Sequence, residues 1–251
     1  MARVLEQGWL RSLLGFALFF ILWETAGRTG ALGASFPSLS EIATAFDTPV
    51  KRGLFTRSMA VTVHSSLIAF AVGAAIAVGL ALISAVLPSL ENGIDSLASG
   101  IYAIPAIAFG PILILIAGPE TTPIVLGVLS AFFPIYGAFV SGLRFTPSAY
   151  LDLSGALGAS RARAFLLLKV PHAMPALIDG LRLGAPGAIL GVVLGEWFGA
   201  PRGLGVVIVG SMQNVRIPQL WAAALLVVAC SLIAYFALSA LHRLCVRRFA
   251  W

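Results

Sequence analysis

Long stretches of apolar residues dominate the chain, and six of them are long enough to cross a membrane. A helix needs about 20 apolar residues to span a hydrocarbon core of about 30 Å. The predicted spans cover residues 10–27, 58–87, 97–117, 122–143, 175–198 and 217–241. The fifth carries Asp179 and Arg182 near its start and Glu196 near its end, whereas the third and fourth contain no charged residue. This pattern predicts an all-α polytopic membrane protein with a single transmembrane domain over residues 1–251.

Composition excludes a water-soluble domain. Of the 251 residues 59% are hydrophobic and only 10% are charged, whereas soluble domains carry about 25% charged residues. The 14 prolines and 26 glycines are spread through apolar sequence, which also excludes a disordered chain. A net charge of +6 would suggest nucleic acid as the partner of a soluble protein. In this chain it indicates basic cytoplasmic loops that face anionic membrane lipid, so no nucleic-acid partner is expected.

The distribution of basic residues predicts the orientation. Six spans place both termini on one side, and a cytoplasmic location of both termini leaves ten Lys and Arg inside and six outside. The excess favours cytoplasmic termini. Arg3 and Arg11 before the first apolar stretch also resemble the start of a signal peptide. We interpret this stretch instead as an uncleaved first span.

Several enzymatic functions find no support in the sequence. Neither Lys51 nor Lys169 follows a glycine, so the chain lacks the GxxxxGK[ST] loop that holds nucleotide phosphates. The three histidines are far apart and form no HExxH motif, which excludes a zinc protease of that type and predicts no metal site. Ser160 follows Gly158-Ala159 and leaves one enzymatic alternative, an intramembrane hydrolase that would lose peptide cleavage after Ser160→Ala.

The segment between the fourth and fifth spans, residues 144–174, is the longest predicted cytoplasmic loop. Thr146-Pro147-Ser148 favours a turn and a helix start. Gly158 separates two short helical segments, and Arg161 and Arg163 provide positive charge. Taken alone, the pattern is compatible with a helical hairpin that lies on anionic lipid headgroups.

The spacing in this loop follows a family motif. It contains Asp152–Ser154, then Gly158 after three residues, and Leu168–Pro171 after nine more. The arrangement resembles the loop of binding-protein-dependent ABC importer permeases, which has Glu-Ala-Ala, three residues, Gly, nine residues and Ile-x-Leu-Pro. Gly158 and Pro171 match outright, whereas Leu153 and Ser154 replace the two alanines. Segments similar to the nitrate, sulfonate and taurine permease group are Pro37–Ser38, Leu157–Ser160, Pro171–Pro175, Gly180–Arg182, Glu196 and Gly203–Gly205.

The resemblance implies the architecture of a type I ABC importer permease. Such a chain forms a dimer, here expected to be a homodimer, in the bacterial plasma (inner) membrane. It works with two cytoplasmic ATPase subunits, which bind ATP and magnesium, and with a periplasmic or lipid-anchored solute-binding protein. No cofactor is expected on the chain itself. The implied cargo is a small solute, either similar to aliphatic sulfonates, taurine or nitrate, or a pyrimidine vitamin precursor.

The same resemblance assigns a role to the loop between spans four and five. A coupling helix in this loop inserts into a groove of the ATPase, and a glycine allows the backbone to turn and approach the partner closely. The expected coupling residues are Asp152, Leu153, Ser154, Leu157, Gly158, Ala159, Ser160, Arg161 and Pro171.

Glycines and two carboxylates form the remaining candidate sites. Gly184, Gly187, Gly191 and Gly195 lie in the fifth span, and the last three repeat every fourth residue. Such a face either packs tightly inside one subunit or lines the translocation path at the interface of two subunits. Glu24 and Glu196 fall toward the predicted outer side, as contacts to the binding protein, a gate, partners of an arginine such as Arg202, or groups that reach interfacial water. Asp179 and Arg182 are expected to pair on one helix face.

The competing interpretation is an ion-coupled secondary carrier or a channel that works without an ATPase. No internal repeat is evident in the sequence, which argues against carriers built from duplicated halves. This alternative predicts that changes around Gly158 are tolerated.

Overall fold

The computed structural model describes the backbone of residues 2–249 and the side chains of residues 10–243, and this part of the chain is helical without strands. The helices are α1 Ala2–Thr29, α2 Leu39–Ala43, α3 Pro49–Val86, α4 Pro88–Ala103, α5 Gly110–Ala117, α6 Thr122–Arg144, α7 Ser148–Ala156, α8 Arg161–Ala164, α9 Val170–Glu196, α10 Leu204–Gln213 and α11 Ile217–Phe249. Arg3, Arg247 and Arg248, which contribute to the predicted charge bias, have side chains outside the described residues.

Five described helices are long and apolar enough to cross a membrane, and a bent helix pair makes a sixth span if it is counted as one. The sequence predicts α6 to within one residue. It places the start of α3 nine residues too late, because the charged residues after Pro49 continue the helix without a break. Helix α9 begins five residues before the predicted Pro175.

The third predicted span, residues 97–117, is wrong as a single helix. Helix α4 ends at Ala103, and the segment Ala106–Ala117 continues at an angle of 86° to α4. Ile104 precedes Pro105 and adopts an extended conformation with φ −84° and ψ 124°, because a proline ring clashes with a helical residue before it. An uncharged apolar stretch is therefore not sufficient to predict a straight span.

The chain forms two compact units, Met1–Arg57 with Val207–Leu225 and Ser58–Val206 with Leu226–Trp251. The smaller unit holds an aromatic cluster in which the ring centroids of Trp23 and Trp221 lie 5.3 Å apart. Trp23 Nε1 donates to the Pro37 carbonyl at 3.1 Å. A Cβ on Gly27 would overlap the backbone of Pro37 and Ser38, so α1 and the following loop are in close contact. The single transmembrane domain stays a prediction.

The core of the larger unit lies between α6 and α9. Phe139, Leu126 and Ile135 of α6 and Val192 of α9 are almost completely buried. Helix α6 continues through Pro134, and α9 continues through Pro175 and Pro186. Prolines are tolerated inside membrane-spanning helices because neighbouring helices provide partners for the backbone groups that a proline leaves without a hydrogen bond.

Candidate functional site

The segment between α6 and α9 has the predicted helix and glycine turn. Helix α7 ends in a Schellman motif, with Ala159 N–H donating to Ser154 O at 2.9 Å and Gly158 N–H donating to Gly155 O at 3.0 Å. Gly158 has a φ of +76°, the left-handed conformation that glycine adopts without cost. A Cβ on Gly158 would meet no described atom within 4 Å. The turn itself therefore requires glycine, while the space around it within the subunit is open.

The second helical segment of the loop differs from the prediction. Ser160 accepts a hydrogen bond from Arg163 N–H at 3.3 Å and begins the helix. Residues from Arg161 onward then run without interruption into the fifth span, through a π-helical turn at Phe165–Lys169. Pro171 lacks an N–H and its ring conflicts with the carbonyl four residues earlier. The wider π-helical turn at Phe165–Lys169, directly before Pro171, accommodates both the missing N–H and the proline ring.

Helix α7 has two different faces. Tyr150, Leu153 and Leu157 are 52%, 59% and 79% exposed, and their spacing of three and four residues places them on one side. Leu151 and Ser154 are half-buried on the other side, where they line a cavity. The exposed apolar stripe is a surface that the described subunit leaves without a partner.

The other predicted coupling residues lie around this helix. Asp152, Ser160 and Arg161 are exposed, and Ala159 and Pro171 are half-buried. They are thus near one another along the loop, but only the exposed ones present side chains for contact with another subunit.

The glycines of the fifth span pack against α6 of the same chain. A Cβ on Gly184 would lie 2.7 Å from Ile135, and one on Gly187 would lie 2.8 Å from the Ser130 carbonyl oxygen. Cβ atoms on Gly191 and Gly195 would overlap the backbones of Leu126 and Pro123, respectively. These contacts support the alternative interpretation, tight packing inside one subunit. That the stripe lines a path between two subunits stays a prediction. The pattern of small residues indicates a close helix neighbour without telling which one.

Glu196 lies at the centre of a buried hydrogen-bond cluster and is 2% exposed. Its carboxylate accepts from Thr62 Oγ1 at 2.8 Å and from Gly205 N–H at 2.7 Å. Leu204 N–H donates to the Thr62 hydroxyl at 2.8 Å. Gly203, with a φ of +142°, and Gly205 leave room for the carboxylate, since a Cβ on either would overlap it. The first N–H groups of α10, which have no partner within their own helix, are satisfied by this cluster.

This burial corrects one expectation for Glu196. A side chain that is 2% exposed does not contact a receptor in this conformation, and its hydrogen-bond partners are Thr62 and Gly205 rather than Arg202. A cavity of about 410 Å³ lies beside it, with Glu120 and Arg202 in its walls. A gating role for Glu196 stays a prediction.

Glu24 supports the short helix α2. It accepts from Arg28 Nε at 2.6 Å, from Ser40 Oγ at 2.7 Å and from Ser40 N–H at 3.2 Å. Ser38 and Glu41 form a capping box at the same helix end. The matched Pro37–Ser38 motif thus has a structural role, and contact of Glu24 with a receptor stays a prediction.

The side chains described in the larger unit form two ion-pair clusters. Arg182 pairs with Asp179 at 2.9 Å, as the spacing predicts. Sequence reasoning missed the other cluster, in which Arg144 contacts Glu91 at 2.7 Å and also Asp95. Glu91 and Asp95 are four residues apart and so lie on one face of α4, which is the only feature of the sequence that indicates a site for a cation. The sequence of α4 does not indicate that this cation comes from α6.

The fold and these motifs define a membrane permease, and comparison with known proteins identifies its family. The family model described as binding-protein-dependent transport system inner membrane component matches residues 71–251. The chain belongs to this family and is the permease subunit of an ABC importer.

Named relatives share most of the chain. A probable ABC transporter permease protein of Haemophilus influenzae is 32% identical, with 96% of this chain and 97% of the relative covered. The formylaminopyrimidine transport permease protein of Halalkalibacterium halodurans is 30% identical, with 78% of each chain covered. Permeases named for aliphatic sulfonates and for taurine are among the relatives too.

A solved structure confirms the type I importer fold. The inward-facing MetNI methionine ABC transporter has a chain that superposes with a TM-score of 0.67 at 16% identity, with 79% of this chain and 99% of that chain covered. At this identity the likeness concerns the fold alone. The predicted all-α fold and the family are confirmed.

Proposed function

We propose that α7 and the Gly158 turn form the coupling element through which separate cytoplasmic ATPase subunits drive this permease. The exposed stripe of Tyr150, Leu153 and Leu157 carries this proposal, because it is apolar, regular and unpartnered in the described subunit. A contiguous apolar patch on a helix is typical of a protein contact site. The turn after it exposes backbone without a side chain at Gly158, which permits close approach of a partner.

The assembly follows from this role. Two copies of the chain, taken as a homodimer, work with two ATPase subunits that bind ATP and magnesium, while this chain binds no cofactor. A periplasmic or lipid-anchored binding protein delivers the solute. The complex lies in the bacterial plasma (inner) membrane, with α7 and both termini in the cytoplasm, as the distribution of basic residues favours.

The proposed cargo is a small solute. Permeases named for formylaminopyrimidine and for aliphatic sulfonates support a pyrimidine vitamin precursor or a sulfonate-like anion. The coupling role does not depend on which of them is carried, since the binding protein selects the solute in this mechanism.

The decisive experiment changes the exposed stripe without changing the fold. Leu157→Glu places a carboxylate where the ATPase groove is expected, and an unpaired charge in an apolar contact weakens binding by about tenfold or more. We expect the variant to unfold at the wild-type temperature because Leu157 is 79% exposed. Co-purification of the ATPase subunit and ATP hydrolysis by the complex are measured.

Leu32→Glu is the matched control, because Leu32 is 64% exposed and lies outside the loop. It should leave ATPase binding unchanged. If Leu157→Glu and Gly158→Glu both retain the ATPase at wild-type affinity, the coupling role is wrong. Accumulation of solute against a gradient by the reconstituted chain alone would instead support the carrier alternative.

A further inference from the structure

A cavity of about 700 Å³ lies behind the coupling loop, on the side of α7 that faces away from the exposed stripe. Its lining includes Val86 and Pro88 at the junction between α3 and α4, and Leu151 and Phe165 of the loop segment. Its volume is that of a typical small-molecule site. The lining leaves out the exposed stripe of Tyr150, Leu153 and Leu157. It includes Ser154, Ala159 and Arg161 of the predicted coupling residues, so the cavity lies next to the surface proposed for the ATPase.

The cavity combines apolar walls with two positive charges. Arg161 and Lys169 both line it, and the described side chains that line it include no carboxylate. Neither cation forms an ion pair with any side chain between residues 10 and 243. Unneutralised cations beside apolar surface favour a ligand that carries both an anionic and an apolar part.

The π-helical turn brings the two cations onto one side. Eight residues of regular α-helix would rotate Lys169 by about 80° beyond two full turns from Arg161. The π-helical turn at Phe165–Lys169 adds about one residue per turn. The remaining offset is therefore about 20°, and both side chains reach the same cavity.

Apolar surface continues outward from the cavity. Val86 and Leu166 line it and are 59% and 63% exposed, and Val86 is the last residue of the membrane-length helix α3. A free anion would leave this surface in water, whereas a lipid would cover it with its acyl chains. Basic pockets between helices at a membrane surface bind anionic lipid headgroups.

We propose that this cavity is a binding site for an anionic phospholipid, whose phosphate lies between Arg161 and Lys169 and whose acyl chains contact Val86 and Leu166. The lipid fills the space between the α3–α4 junction and the loop, and so supports α7 from behind. This site is independent of the proposed function, because it needs neither an ATPase nor a solute.

The test measures lipid binding to the purified full chain in neutral detergent by native mass spectrometry, without ATPase. Phosphatidylglycerol should bind and phosphatidylcholine should bind much more weakly. Arg161→Gln or Lys169→Gln should each lower the phosphatidylglycerol affinity about fivefold, and the double variant about thirtyfold. Lys169→Arg keeps the positive charge and should retain binding. If this variant is folded, loss of binding by Lys169→Gln is due to the lost charge and not to substitution at position 169.

Arg163→Gln is the matched control, since Arg163 lies in the same exposed segment but does not line the cavity. It should leave the affinity unchanged. Equal losses in Arg163→Gln and the double variant would reveal unspecific attraction and overturn the site, as would wild-type binding by the double variant. Equal competition by inorganic phosphate would show a free-anion site, and displacement of the lipid by added ATPase subunit would show that the partner fills the cavity. Either result overturns the proposal.

Discussion

Glu196 shows how one residue can hold three segments of a membrane protein together. Its carboxylate connects the end of α9 with Thr62 of α3 and with the start of α10 at Gly205. Both oxygens act as acceptors, and a buried group of this kind stabilises the fold only while all its partners are present. The glycines at 203 and 205 serve this arrangement because they leave space for the carboxylate.

Replacing Glu196 by glutamine should destabilise the subunit by about 1–3 kcal/mol. The amide offers one acceptor oxygen instead of two. If that oxygen accepts from the Gly205 N–H, the NH₂ group donates to the Thr62 hydroxyl oxygen, and the Thr62 O–H loses the carboxylate that accepted from it. Thermal unfolding of the purified chain measures the effect. Thr62→Ser retains the hydroxyl and should stay close to wild type, and an unchanged unfolding temperature for Glu196→Gln would contradict the role of this cluster.

The hydrogen bonds of this cluster could not be predicted from the sequence. Glu196 and Gly203–Gly205 were recognisable as a charge in a span and a family motif, but Thr62 is 134 residues away from Glu196 in the chain. A lone hydroxyl in an apolar helix carries no signal of its partner. The left-handed turn at Gly158 was predictable for the opposite reason, because its hydrogen bonds involve only residues within the same loop.

At the level of helices, continuous apolar sequence predicts a span well unless a proline divides it, and not every proline does. Helix α6 agrees with the prediction and continues through Pro134, whereas Pro105 divides the third span although its residues are uncharged. Helix α10 was missed since its ten residues are too few to cross a membrane. The glycine stripe of α9 was recognised, but small residues fit any close neighbour, and the packing against α6 depends on the folded chain.

At Gly191 the α6–α9 contact should be intolerant of even one methyl group. A Cβ at Gly191 would overlap the Leu126 carbonyl and come close to Ser130 Oγ, so Gly191→Ala should cost about 1–3 kcal/mol by overpacking. Gly79 lies in the membrane-length helix α3, and a Cβ there would meet no described atom within 4 Å. Gly79→Ala should therefore be neutral or stabilising by up to about 1 kcal/mol.

Unfolding temperatures of the two glycine variants in detergent provide the comparison. Equal stability of Gly191→Ala and Gly79→Ala would show that the close approach of α6 and α9 is absent in solution. Cysteines at Gly187 and Gly191 should also fail to cross-link two subunits, because these positions face α6 of their own chain.

At the level of the larger unit, the loop and the Glu196 cluster lie at opposite ends of one helical element. Residues Arg161–Glu196 run without interruption and correspond to a length of about 54 Å. Helix α6 packs along this element through backbone-to-backbone contacts at glycines. Closely packed helices shift as a body rather than deform. A movement imposed on α7 is therefore expected to reach the Glu196 end with α6 and α9 moving together.

A disulfide between α6 and α9 tests this rigid-body movement. A Cβ on Gly142 would lie 3.1 Å from the Ala173 Cβ and 2.8 Å from the Ala176 Cβ. Since disulfides need a Cβ separation of about 3.5–4.5 Å, the two helices must separate by a few tenths of an ångström at this position to accept the bond. Gly142→Cys with Ala173→Cys, in a chain with Cys230→Ser and Cys245→Ser, should form the bond on oxidation. ATP-driven uptake by the assembled transporter should persist in the oxidised state, because the bond joins two helices that do not move relative to each other. Each single cysteine variant is the control, and uptake that stops on oxidation and returns on reduction would show that α6 and α9 slide during transport.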